Sequence, residues 1–264
     1  MNVKTTIKHH PVASFIILTL ALSFAAFLLP LPPEGAFAII ALVAVMIPTL
    51  VACTLVALMD GRPGVSAFLR QCFRWRSPLK WYLSAVAIGF VIHFGSSLLA
   101  LLTGAIPAIE IAAPNATLAI IPLAALLEEI GWRGFALRRL LDQYSPFTAT
   151  LIIGIPWALL HFALFLFFEP TVSPVAEGLT VLVFTVPLTW IFVRSGRNVL
   201  VATVLHSALN AFAFIEANIP PAQVLWYVFA SGCLVVAVLI VIDRRLWFAR
   251  PAETQVGAAV PSAA

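Results

Sequence analysis

Charge is what this sequence has least of. Only 10% of its 264 residues are charged, against about 25% in an ordinary soluble domain, and the mean hydropathy is +1.06. A water-soluble fold of this length needs more solvated surface than that. Cysteine is scarce as well. Cys53, Cys72 and Cys233 show no paired spacing and no CxxC, and Cys53 and Cys233 sit in apolar runs, so neither a disulfide framework nor a thiolate metal centre is expected. The 13 glycines exclude a collagen-like repeat, and sparse charge with 62% hydrophobic residues excludes a disordered chain. What remains is an all-α, polytopic membrane protein.

A helix needs about 20 residues to cross a hydrocarbon layer of ~30 Å. Eight stretches qualify as predicted spans: 12–29, 36–58, 81–103, 116–137, 147–168, 177–194, 198–216 and 222–242. Turn-forming residues separate them, as in Asp60-Gly61-Arg62-Pro63-Gly64 and Pro220-Pro221. The first span is not read as a cleaved signal peptide, because no small-residue cleavage site precedes Pro30 and another apolar run follows at once. All 15 Lys and Arg residues fall before the first span, between spans two and three, at the end of span four, between six and seven, or after span eight. The opposite loops carry Glu34, Glu110, Glu169, Glu177 and Glu216 and no basic residue. The positive-inside rule therefore predicts both termini in the cytoplasm and a multi-pass protein of the cell membrane. The net charge of +4 and pI near 9.3 follow from this loop asymmetry rather than from a nucleic-acid footprint. The basic, aromatic stretch Phe68–Lys80 is too polar to span and is expected to lie along the cytoplasmic interface. Residues 1–250 read as one helical domain, with 251–264 as a disordered tail.

Ionisable residues at membrane depth are functional candidates because burying them is costly, about 2.5–3.5 kcal/mol each on insertion scales. Here they are Glu128, Glu129 and Arg133 in span four, His161 in span five, and His206 with Asn210 in span seven, with His93 as a weaker member. At 1.5 Å per residue, Glu128 lies roughly 18 Å from the outer surface and His161 roughly 21 Å from the inner one. His206 and Asn210 lie roughly 12 and 18 Å from the inner surface. Three helices thus carry polar groups to overlapping middle depths, whereas snorkelling side chains would cluster near helix ends. Glu129 and Arg133 are spaced i, i+4 with the acid first, which favours an ion pair, and Glu128 is turned about 100° away toward another partner. His206 and Asn210 share one helical face by the same spacing. Gly131 and Gly134 would let a second helix approach.

Glu128-Glu129-Ile130-Gly131-Trp132-Arg133 resembles the EExxxR motif of the CPBP family of intramembrane proteases, also called the Abi or CAAX-protease family. Trp157 through His161 is similar to that family's FxxxH, with Trp where Phe is usual, and His206 through Asn210 to its HxxxN. The similarity covers roughly residues 68–216. It implies an intramembrane endopeptidase acting on a membrane-associated or lipidated protein or peptide. The family also includes members linked to bacteriocin immunity and members without demonstrated proteolysis, so a non-catalytic interaction protein is the alternative. A transporter is a third class, disfavoured by the lack of inverted repeats.

Read with that resemblance, Glu128 and His161 would activate water, His206 and Asn210 would stabilise the oxyanion, and Glu129–Arg133 would hold the helix. The same residues also admit a Zn²⁺ site of Glu128, His161 and His206 with a position open for water. No HExxH is present, and the spacing leaves the metal-dependent and metal-free chemistries both open. The expected partners are membrane lipids and a membrane-associated substrate, with no nucleic acid.

Overall fold

The computed structural model describes residues 3–30, 35–113, 116–169 and 171–249. The expected tail 251–264 lies outside the described residues, as do Glu34 and Arg250. The described chain is helical, without a strand, which suits a lipid solvent in which each backbone polar group must find its partner within the chain.

A short helix α1 (Val3–His9) leads into α2 (Pro11–Phe27), and α3 (Ala36–Cys72) follows. Gly61 interrupts α3 with φ of +69°, a left-handed conformation that glycine adopts without steric cost, and the chain kinks there before Pro63. The predicted span 36–58 is therefore the first part of a longer, bent element whose second part carries Phe68 and Arg70. Next come α4 (Leu79–Leu102), a 3₁₀ turn (Ala116–Ala119), α5 (Ile121–Glu129), a π-helix (Ile130–Leu137) and the single turn α6 (Arg138–Leu140). Helices α7 (Pro146–Phe168) and α8 (Pro174–Arg194) both open with a serine cap followed by proline, and Ser145 and Ser173 accept from the amides of Thr148 and Ala176. Asn198 caps α9 (Val199–Ala211) by accepting from the Val201 amide. A 3₁₀ turn (Phe212–Glu216), α10 (Pro221–Ile242) and α11 (Arg244–Phe248) complete the fold.

Among the described residues, six helical stretches are long and apolar enough to cross a membrane: α3, α4, α7, α8, Val199–Glu216 and α10. The first predicted span appears as α2, which at 17 residues is shorter. The fourth departs from expectation. Instead of one continuous helix over 116–137 it is a relay of 3₁₀, α and π segments, in which the Arg138 amide bonds to the Arg133 carbonyl five residues back.

That relay is the centre of the bundle. Every residue from Ile130 to Leu137 is buried, with α2, α3, α7, α8 and α9 all packed against the π-helix. A methyl group on Gly131 would lie 2.5 Å from Cβ of Pro48, and one on Gly134 would lie 2.8 Å from the Cys72 sulfur. The two glycines thus admit α3 to contact distance, as small residues do between helices in lipid, where packing rather than hydrophobic transfer drives association. Trp132 fills the opposite side, its ring edge-on to Phe15 at 5.2 Å.

Candidate active site

The relay places Glu128 and Glu129 at the end of α5, pointing to different neighbours as the 100° rotation between adjacent residues requires. Glu129 faces α9. Its Oε1 accepts from Nη1 of Arg133 at 2.7 Å and from Nδ1 of His206 at 2.9 Å. Glu129 and Arg133 are both 0% exposed, so this is a fully desolvated ion pair with a histidine attached. A carboxylate paired with an arginine can only accept, so Nδ1 of His206 carries the proton and Nε2 is left toward the cavity.

Glu128 faces α7, where Nε1 of Trp157 donates to its Oε2 at 2.8 Å. The same indole is the packing hub of the site. The Arg133 guanidinium carbon lies 4.5 Å over its ring, and the rings of His161 and His206 each approach it edge-on at 5.4 Å. Nδ1 of His161 lies 3.1 Å from the Trp157 carbonyl, an acceptor, which directs that proton to Nδ1 and leaves Nε2 with a lone pair. Sequence reasoning saw Trp157 only as an aromatic standing where phenylalanine is usual. Its N–H, which phenylalanine lacks, is the feature that the packing brings into use.

Glu128, His161, His206 and Asn210 all line one cavity of about 470 Å³. Asn210 is exposed into it, and Arg133 and Glu129 sit behind it. Apolar walls come from Phe165, Phe184 and Val228.

Two residues assigned to outer loops from the sequence belong to this cavity instead. Glu177 lies in the first turn of α8, because Ser173 and Pro174 start that helix earlier than its hydropathy indicates, and it lines the cavity with His161. Glu216 ends the 3₁₀ turn after α9 and is only 6% exposed. It accepts from the Ser96 hydroxyl and lies 3.1 Å from Nδ1 of His93. Nε2 of His93 is 2.6 Å from the Leu209 carbonyl, next to Asn210, so α4 braces the end of α9. The signal for Glu216 was present in the helical spacing 206, 210, 213, 216, but as the last residue of the predicted span 198–216 it was counted with the outer-loop acids.

The donor chemistry of Glu128, His161 and His206 suits zinc. Among the described residues, however, no group of three or more His, Cys, Asp and Glu side chains comes together closely enough to hold a metal ion. The three share a cavity without converging as a ligand set.

Residues 111–212 match the family model described as "Type II CAAX prenyl endopeptidase Rce1-like". A curated relative, CAAX prenyl protease 2 of the archaeon Methanococcus maripaludis, is 28% identical over 137 residues, which is 48% of this chain and 49% of the relative. The chain thus spans about half the length of the curated relative it matches. The matched stretch contains Glu128, Glu129, Arg133, His161, His206 and Asn210.

Proposed function

We propose that this chain, as a member of the CPBP (CAAX-protease) family, is an intramembrane endopeptidase that hydrolyses a peptide bond of a membrane-associated or lipidated substrate. One observation carries the reading. Two adjacent carboxylates are held inside the helical bundle by different partners, Trp157 for Glu128 and Arg133 with His206 for Glu129, around one cavity that also receives His161 and Asn210. A merely structural Glu–Arg pair would not need the second carboxylate turned into an open cavity.

In this reading water sits between the free Oε1 of Glu128 and Nε2 of His161. Glu128 takes one proton as the water oxygen attacks the scissile carbonyl carbon. Negative charge develops on the carbonyl oxygen, where the Asn210 amide donates. His206, held at Nδ1 by Glu129, faces the same oxygen with its other ring nitrogen, a second donor when that nitrogen carries a proton. The proton on Glu128 then passes to the leaving amide nitrogen as the C–N bond breaks, and the carboxylate is regenerated. The apolar walls at Phe165, Phe184 and Val228 support a hydrophobic substrate segment, and the curated relative's name suggests a prenylated C-terminus.

The test is cleavage of a fluorogenic, farnesylated peptide by the full chain reconstituted in lipid vesicles, compared with Glu128→Gln. Cleavage by the first and none by the second is the expected result. A wild-type chain that is folded and inactive on lipidated and unlipidated peptides alike would favour a non-catalytic interaction protein. Ion flux through the vesicles would favour a transporter.

A further inference from the structure

The eight arginines whose surroundings are described between residues 70 and 197 divide into two classes. Arg133, Arg194 and Arg197 form ion pairs with Glu129, Asp243 and Asp142. Arg70, Arg74, Arg76, Arg138 and Arg139 form none among the described residues, yet all five line one open groove of about 1040 Å³. The groove lies where the bent end of α3 and the segment after it meet α6. Two carboxylates also line it, Asp60 and Asp142, and Asp142 is already engaged by Nη1 of Arg197 at 2.6 Å. Five like charges gathered against two carboxylates, one of them occupied elsewhere, leave an uncompensated positive field.

Three of the guanidinium groups, those of Arg74, Arg138 and Arg139, are held in place, while Arg70 and Arg76 are exposed at the groove's edge. Nη2 of Arg74 donates to the Gly196 carbonyl at 2.7 Å, and Nη2 of Arg138 donates to the Arg197 carbonyl at 2.6 Å. Arg139 lies 3.9 Å over the Phe135 ring and donates to its carbonyl. Each keeps further N–H donors, and Nε of Arg138 is buried without a partner. Planar forks fixed in this way suit a phosphate, whose oxygens accept several donors at once.

The rest of the groove separates a lipid phosphate from a free one. Its lining includes the exposed Ala67, with Phe73 and Trp75 beyond it, apolar surface that a free anion cannot use. At its rim Trp75 is 69% exposed and Phe73 is exposed beside it, as aromatics are at headgroup level. The volume is at the upper end of small-molecule pockets, about 300–1,000 Å³, and exceeds what an inorganic phosphate fills. The charge distribution of the loops assigns this face to the cytoplasmic leaflet, where anionic lipids gather.

We infer that the groove between the bent end of α3 and α6 is a binding site for an anionic phospholipid, its headgroup phosphate on the five arginines and its upper acyl chain against Ala67, Phe73 and Trp75. The site is separate from the cavity of Glu128 and does not depend on the proteolytic reading. It adjoins the π-helix directly, so an occupied site would also brace the segment carrying Arg133.

The experiment places the full chain in nanodiscs of phosphatidylcholine and phosphatidylglycerol in equal proportion and measures retained lipid by native mass spectrometry. The variant is Arg70→Gln with Arg76→Gln, two exposed side chains outside the bundle core. Wild type should retain phosphatidylglycerol preferentially, with the preference falling as salt is raised. The double variant should lose about 30-fold of that preference (about 2 kcal/mol), and each single variant about fivefold, from about 1 kcal/mol per basic residue at an anionic surface. The single variants decide the matter if the double variant does not purify. Equal retention of both lipids by wild type, or unchanged preference in the variants, would overturn the inference. So would titration of inorganic phosphate into protein in phosphatidylcholine nanodiscs if it bound as tightly as phosphatidylglycerol, since the site would then serve a soluble anion.

Discussion

The indole N–H of Trp157 donates to Oε2 of Glu128 at 2.8 Å, linking the middle of α7 to the end of α5 across 29 residues of sequence. The bond occupies one carboxylate oxygen and leaves the other for the cavity. It fixes the rotamer of Glu128 without adding charge, while the indole face stacks under Arg133.

Trp157→Phe isolates that bond, because phenylalanine keeps an aromatic ring against Arg133, His161 and His206 but has no N–H. A hydrogen bond to a charged group is worth about 1.5–3 kcal/mol, so kcat should fall about 10- to 100-fold with KM within about twofold. Melting temperature should stay near wild type. Unchanged kcat would show that the indole only packs.

Glu128→Gln and His161→Ala should each abolish cleavage while expression and thermal stability stay close to wild type. The first keeps shape and the second empties a half-buried position beside the cavity. Loss of activity together with loss of folded protein, read by size-exclusion chromatography, would point instead to a packing role for these side chains.

Arg133→Ala should behave differently. It strands the Glu129 carboxylate, which is 0% exposed, without its cation, a change that costs roughly 3–5 kcal/mol. The expected outcome is a poorly folded as well as inactive protein, visible as a lowered melting temperature in detergent. A variant that melts like wild type would mean that His206 alone compensates Glu129.

Asn210→Ala separates the two chemistries. As an oxyanion donor Asn210 should contribute about 10²–10³-fold to kcat with little effect on KM. On the proposed metal-free reading the purified protein should hold less than one metal per chain and keep its cleavage activity in a chelator. If Glu128, His161 and His206 rearrange to bind zinc, His206→Ala should be the more damaging of the two, and zinc should restore cleavage to the chelated protein. Stoichiometric zinc lost with activity in His161→Ala would establish the metal-dependent route.

Topology is open to a direct test. Reporter fusions near residues 110, 172 and 219 should read outside the cytoplasm, and those near 70, 143 and 196 should read inside. Termini found on opposite sides of the membrane would remove the even-span layout.

Helix positions were legible because an apolar run in lipid has only one way to satisfy its backbone, so the predicted spans 81–103, 147–168 and 222–242 agree with α4, α7 and α10 nearly end to end. The polar residues within the bundle were legible for a related reason. Glu128, Glu129, Arg133, His161 and His206 stand out where polarity is expensive, and i, i+4 spacing alone forecast the Glu129–Arg133 contact. Hydropathy could not see the π-helix at Ile130–Leu137, since side-chain polarity does not report whether an amide bonds four or five residues back. Nor could it recover Glu177 and Glu216, which lie close to predicted span ends and look like loop acids until the helices are packed. The sequence by itself determined which stretches are apolar enough to lie in the membrane and which polar residues fall within them. Only the tertiary structure decided their partners, giving Glu128 to Trp157 and Glu129 to His206, because a contact between helices depends on how each is rotated and tilted against the others, and no spacing along one chain segment encodes that.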